Sequence, residues 1–222
     1  MKKNHPIFHT ALALVLTLTV ISLAVVFTLG FRPLYYLDIK ALDIPRLSGY
    51  SEEEIRENYD VLIDYNLSFG EEELSFPSLP MSESGRIHFE EVKVIFNLFK
   101  YMAIFGSVVS AAGIWFCARR EEYRYLKLTS ILAVALPAVL GILVALNWDW
   151  VFVTFHEIAF DNDYWLFNPL TDPVITILPD TFFMHCALMI FGCIVAGSVV
   201  CGLAYGKIMR KEENRGRHAE DA

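Results

Sequence analysis

Four long stretches of the chain carry almost no charge: about His9 to Gly30, Val94 to Ala118, Leu126 to Asn147 and Leu178 to Tyr205. An α-helix rises about 1.5 Å per residue, so the first of them, roughly 22 residues, reaches about 33 Å and crosses a hydrocarbon layer of about 30 Å. The pattern predicts an all-α membrane protein with four transmembrane helices. Two intervening segments are patterned differently. Ser51 followed by Glu54 is a capping-box signal, and Ile55, Tyr59, Leu62 and Ile63 recur at helical spacing, which predicts an amphipathic helix through Asp64. After Asn66 the turn formers Gly70, Pro77, Pro80 and Gly85 separate Leu74-Ser75-Phe76 from Arg86-Ile87-His88-Phe89, two stretches expected to pair as short strands. The segment 31–93 is thus expected to form a small extracytoplasmic α/β cap, too short to be stable alone and resting on the bundle. In the other segment, from Trp148 to Phe160, a helix places Phe152, His156 and Phe160 on one face at i, i+4 and i+8. Trp148 and Trp150 suit the headgroup region. The chain divides accordingly into 1–30, 31–93, 94–147, 148–177 and 178–222.

Composition agrees with the spans, at 55% hydrophobic and only 20% charged residues. Charge adds orientation. Lys2 and Lys3 precede the first span, Arg119, Arg120, Arg124 and Lys127 lie between the second and third, and Lys207, Arg210, Lys211, Arg215 and Arg217 follow the fourth. Basic residues near helix ends stay on the cytoplasmic side, so both termini are expected there and the two patterned segments outside. A cleaved signal peptide is the competing reading of the first run. That run is too long, and Leu29-Gly30-Phe31-Arg32-Pro33 lacks a small-x-small cleavage pattern.

The long outer segment has fourteen acidic residues, including Glu52-Glu53-Glu54 and Glu71-Glu72-Glu73, against six basic ones, which argues against nucleic acid as a partner. The acidic runs read as a solvated face. Cys117, Cys186, Cys193 and Cys201 all fall within spans and read as packing residues, with no disulfide framework expected.

The candidate chemistry lies in two histidines. His88 and His156 each stand outside the end of a span, in aromatic-rich surroundings, on the expected outer face. Two ionisable rings at one interface make a candidate acid/base pair. His185, within the outer part of the fourth span, is expected to pack or to make a structural hydrogen bond, and His5, His9 and His218 read as cytoplasmic surface residues.

The stretch Phe155-His156-Glu157-Ile158-Ala159-Phe160-Asp161-Asn162-Asp163-Tyr164-Trp165, followed by Asn168-Pro169 and Leu178-Pro179, resembles the bacterial lipoprotein intramolecular transacylases. So does Asn58-Tyr59 followed by His88-Phe89-Glu90-Glu91-Val92-Lys93 leading into a span. The resemblance runs from the first span to the fourth and implies four spans with an extracytoplasmic cap. It also implies catalysis by two histidines, matched here by His88 and His156, on diacylglyceryl-modified lipoproteins at a membrane-lipid surface. The acyl chain moves from the sn-2 oxygen to the amine of the same amino-terminal cysteine, leaving an N-acyl lyso-lipoprotein. Glu91 stands where the family often has Asp after the first histidine. Glu91, Tyr59, Phe152, Phe160, Asn162, Tyr164 and Trp165 are the residues expected to support the histidines or shape the substrate.

That reaction needs neither cofactor nor metal. An α-amine has a reference pKa of about 7.7–8.0 and must lose a proton before it attacks, while the departing alkoxide must gain one. A base and a proton donor suffice, and Glu91, one turn beyond His88, either orients or charges that ring or stands as a solvated acid. Two other readings remain open: a metal-dependent hydrolase using His88, His156 and Glu157 or Asp161, although no His-Glu-x-x-His cluster is present, and a non-enzymatic membrane sensor or assembly partner.

Overall fold

A computed structural model describes residues 5–220. The described residues form helices joined by turns, in the order α1 (Pro6–Gly30), α2 (Arg32–Ala41), α3 (Ile44–Ser48), α4 (Glu52–Leu67), α5 (Glu83–Arg119), α6 (Arg124–Leu146), α7 (Trp148–Ala159), α8 (Val174–Ile177) and α9 (Asp180–Glu220). Among them α1, α5, α6 and α9 are long and apolar enough to cross a membrane. The chain is a multi-pass membrane protein. At 37 residues α5 extends about 55 Å, far more than a crossing of about 30 Å requires. Because its apolar run begins at Val94, its first three turns stand outside the spanning part.

Val25–Lys100 and Gly141–Met189 make one compact unit, and the remaining described residues make a second. The second unit is held by small side chains and hydroxyl bonds. A Cβ on Gly106 of α5 would collide with Oγ1 of Thr19 in α1, so only glycine lets these two helices approach so closely. Thr19 and Ser110 meet through their hydroxyls at 3.3 Å, and Ser198 of α9 donates to the carbonyl of Ser130 in α6 at 2.6 Å. His9 departs from the expectation of an exposed ring. It is 1% exposed, 3.0 Å from a carboxylate oxygen of Glu122 in the α5–α6 turn and stacked on Tyr125. The turn folds back on the start of α1 and covers the ring. The side chain of His218 lies outside the described residues.

The first unit contains α2, α3, α4, α7 and α8 with the adjoining ends of the long helices. Its core is Tyr35, Ile39, Ile55, Tyr59, Leu62, Phe89, Val174, Ile177 and Phe182 among others. The capping box is present: Ser51 Oγ accepts from the Glu54 N–H at 3.2 Å while Glu54 accepts from the Ser51 N–H at 3.0 Å. The other end of α4 is closed by a side chain from α5, since Lys100 Nζ donates to the carbonyls of Asn66, Leu67 and Ser68. Cys117 and Cys186 pack against apolar neighbours, and all four cysteines are free thiols.

The cap is helical rather than α/β. Leu74-Ser75-Phe76 has no regular structure, though Leu74 and Phe76 are buried in the core, and Arg86-Ile87-His88-Phe89 belongs to α5. The physical reason is a helix start that the turn-forming residues conceal. Ser82 accepts from the Gly85 N–H at 3.0 Å as a cap, and Arg86 pairs with Glu83 and Glu90 at i−3 and i+4. Gly85 sits inside the first turn because Asp172, which accepts from the Ser82 N–H at 2.7 Å, lies where a Cβ would be. Gly85→Ala should therefore push Asp172 off Ser82 and destabilise this unit by about 1–3 kcal/mol, despite alanine's better helix propensity. Thermal unfolding in detergent would check it, and a stabilised variant would contradict the close approach.

Candidate active site

His88 and His156 come together. Their ring centroids lie 6.1 Å apart with the planes inclined by 31°. His88 is carried by the first turns of α5, and His156 by the last turn of α7, a helix capped by Asn147, whose side chain accepts from the Trp150 N–H at 3.1 Å. Aromatic rings surround the pair. Phe160 at 4.7 Å and Phe167 at 5.4 Å meet the His88 ring edge to face, and Phe152 at 4.2 Å and Trp165 at 4.8 Å lie beside His156. Phe160 differs from expectation in one respect. It lies just past α7 with extended backbone, and its ring touches both histidines, 4.7 Å from His88 and 5.6 Å from His156.

Hydrogen bonding sets the rings apart. His156 Nδ1 is 2.7 Å from the carbonyl oxygen of Phe152, one turn earlier. A carbonyl only accepts, so Nδ1 carries the hydrogen and Nε2 of the neutral ring keeps its lone pair. His88 is 5% exposed and its Nδ1 has no partner. Burial, reinforced by the neighbouring His156, lowers the His88 pKa to about 4. Burial also lowers that of His156, against the opposing effect of its bond to Phe152. A lowered pKa means a ring that stays neutral until the solution is more acidic than the ordinary value of about 6.5. His88 is therefore neutral at pH 7, and burial favours the neutral form of His156. In a histidine-labelled sample the His88 resonances should not titrate between pH 8 and 5.5, and a midpoint near 6.5 would contradict the burial argument.

The remaining expected residues divide. Asn162 Nδ2 donates to Glu91 Oε1 at 2.8 Å, so Glu91 is bonded to Asn162 rather than to the His88 ring. Tyr164 contributes its backbone N–H to Asn162 Oδ1 at 2.9 Å while its side chain is exposed. Tyr59 is buried against Tyr35, 3.8 Å between centroids, and touches Phe182 rather than either histidine. His185 makes the structural bond expected of it, with Nδ1 2.8 Å from Asp38 Oδ2. Phe167, on His88, and Phe183, on Phe152, belong to the surround and carry no sequence signal beyond their being aromatic. Among the described residues no group of three or more His, Cys, Asp or Glu side chains gathers as a metal site.

Comparison with known proteins gives one coherent result. The model of the family described as "Lipoprotein intramolecular transacylase Lit" matches residues 10–183. The chain is similar to an in meso structure of the membrane-integral lipoprotein intramolecular transacylase Lit from Bacillus cereus, at 34% identity over 93% of this chain and 96% of that one, with a TM-score of 0.91. Variants of that protein with one histidine replaced by arginine or by alanine match with TM-scores of 0.86 and 0.85, at 33% and 34% identity. They cover 94% and 93% of this chain and 93% and 94% of theirs, respectively. A search of curated protein sequences gives no match. Both the shared fold and the matched residues lead to one conclusion: the chain belongs to the lipoprotein intramolecular transacylase family and is an integral-membrane acyltransferase.

Proposed function

We propose that this protein moves the sn-2 acyl chain of a diacylglyceryl-cysteine lipoprotein to the α-amine of the same cysteine, with His156 as base and His88 as donor. The observation that carries the reading is the facing pair of imidazoles in an aromatic enclosure. Amine nitrogen attacks the sn-2 carbonyl carbon, forming a C–N bond and an oxyanion. His156 Nε2, left free by the Nδ1 bond to Phe152, takes a proton from that nitrogen. A neutral His88 donates an N–H to the oxyanion, as a neutral imidazole does when its pKa is lowered. The C–O bond then breaks, and the imidazolium of His156 returns the proton to the sn-2 oxygen. Counted from the neutral amine, the products are an amide and a hydroxyl and the proton taken by His156 is the one returned.

No enzyme nucleophile is required, because the amine and ester are on one molecule. The difficulty is entropic: attack closes a medium-sized ring through nitrogen, two cysteine carbons, sulfur, two glycerol carbons, oxygen and the carbonyl. Correct orientation recovers about 7–11 kcal/mol of barrier in favourable cases, and the rings of Phe152, Phe160, Trp165 and Phe167 are the mould. The burial of His88 and Phe160 also limits the access of water to the ester.

The cap, 31–93 and 148–177, faces outward in this reading, with both termini cytoplasmic. Support comes from Arg119, Arg120, Arg124 and Lys127 around the α5–α6 turn, and from Lys207, Arg210 and Lys211 near the end of α9. The site then stands at the outer membrane–water interface, within reach of a substrate held by its acyl chains. Incubating the purified protein with a diacylglyceryl-cysteinyl lipopeptide should leave the total mass unchanged while the α-amine becomes unreactive to amine reagents. Release of free fatty acid without N-acylation would refute the proposal.

A further inference from the structure

Glu91 has a feature that the reaction steps above do not use. Its Oε1 accepts from Asn162, but its Oε2 is buried and has no hydrogen-bond partner. An ionised carboxylate oxygen shut away from water and left unpaired costs free energy, about 1–3 kcal/mol or more, unless something else supplies a donor. The neighbouring cations of α5 do not. Arg86 is engaged by Glu83 and Glu90, and Lys93 Nζ donates to Ser68 Oγ at 3.0 Å and the Gly70 carbonyl at 2.8 Å.

Placement says what the donor is. Glu91 lies at i+3 from His88, on the same face of α5. Asn162 follows Phe160, whose ring meets His88, and precedes Trp165, whose ring lies beside His156. The amide is itself fixed, since its Oδ1 accepts from the Tyr164 N–H. One carboxylate oxygen is thus held in place by the protein, and the other, on the face of α5 that carries His88, has no donor from the protein.

We infer that Glu91, oriented by Asn162, is the subsite that receives the substrate's α-ammonium group, an assignment that rests on the reaction proposed above. A charge-assisted N⁺–H···O⁻ bond is roughly twice as strong as a neutral one, and its direction brings the ammonium to the histidines; its extra proton passes to the Glu91 carboxylate and on to water before the neutral amine attacks, so one proton is released per turnover. The same pairing favours product release. Acyl transfer turns the amine into an uncharged amide, and the ion pair is gone.

The test uses unreactive competitors: dialkyl ether analogues of the diacylglyceryl-cysteinyl peptide, one with the α-amine and one with an α-hydroxyl in its place. Against the wild-type protein in phosphatidylcholine vesicles, the amine analogue should inhibit at least about tenfold more strongly than the hydroxyl analogue, a ratio ordinary for one charge-assisted bond. In Glu91→Gln, which keeps the side chain's shape, the ratio should fall to within about twofold of one, whereas Glu91→Asp should retain part of it. A wild-type ratio near one, or a ratio unchanged in Glu91→Gln, overturns the inference. So does loss of the wild-type ratio in vesicles containing an ethanolamine-headgroup lipid, because the subsite would then be matched to a lipid amine. Inhibition is read on substrate conversion by wild-type protein and by the partly active variants. Absence of wild-type conversion would instead overturn the reaction itself.

Discussion

His156→Ala should convert diacylglyceryl lipopeptide about 10²- to 10⁴-fold more slowly than the wild type, the range expected when one positioned acid/base group is lost. The site geometry gives the reason. With its Nδ1 committed to the Phe152 carbonyl, His156 offers an acceptor nitrogen, and the rings of Phe152, Phe160 and Trp165 beside it cannot replace that lone pair. His156→Phe fills the same space among Phe152, Phe160 and Trp165 and should be as inactive as the alanine variant, which separates chemistry from packing. His88→Ala should lose a comparable factor by removing the oxyanion donor. The double variant should be little worse than either single one, because groups that act as a unit are not additive. Full activity in His156→Phe would remove the ring as base.

Lys100→Ala should destabilise the first unit by about 3 kcal/mol or more, with little direct effect on the chemistry. Lys100 is 4% exposed and donates at 2.7, 3.0 and 2.6 Å to three successive carbonyls that close α4. Helix ends leave their last carbonyls unbonded, and here one ammonium group supplies all three. Removing it strands acceptors where water has poor access. Lys100→Met keeps the stem and loses the donors, so an equal drop in both variants assigns the cost to hydrogen bonds. The readout is the melting temperature in detergent together with the rate of protease cleavage in segment 68–82. A melting temperature unchanged in Lys100→Met would show that the cap is held by packing alone.

The spans and the α4 capping box are written in local pattern, as uninterrupted apolar runs and as Ser51 with Glu54, and both are legible without coordinates. The histidine pair was approachable for a different reason: each ring lies in a dense aromatic stretch and matches a family motif, though nothing local says the two meet. What eluded the sequence depends on distant partners. Gly85 reads as a turn until Asp172, far along the chain, is seen to occupy the space a side chain would need. That contact, with the Ser82 cap and the Arg86 ion pairs, makes helix of residues that pattern as a strand. His9 reads as exposed until Glu122 covers it, and Lys100 carries no sequence signal of the three carbonyls it bonds at the end of α4. Each is a polar group whose role is decided by a residue that periodicity cannot reach.

The most direct measurement uses a lipopeptide with two different acyl chains, one at sn-1 and one at sn-2, with the product fragmented in a mass spectrometer. The account predicts an unchanged total mass, with the sn-2 chain on the cysteine nitrogen in the wild type and none there in His88→Ala or His156→Ala. An sn-1 chain on nitrogen, a change in mass, or conversion by either variant at the wild-type rate would contradict it.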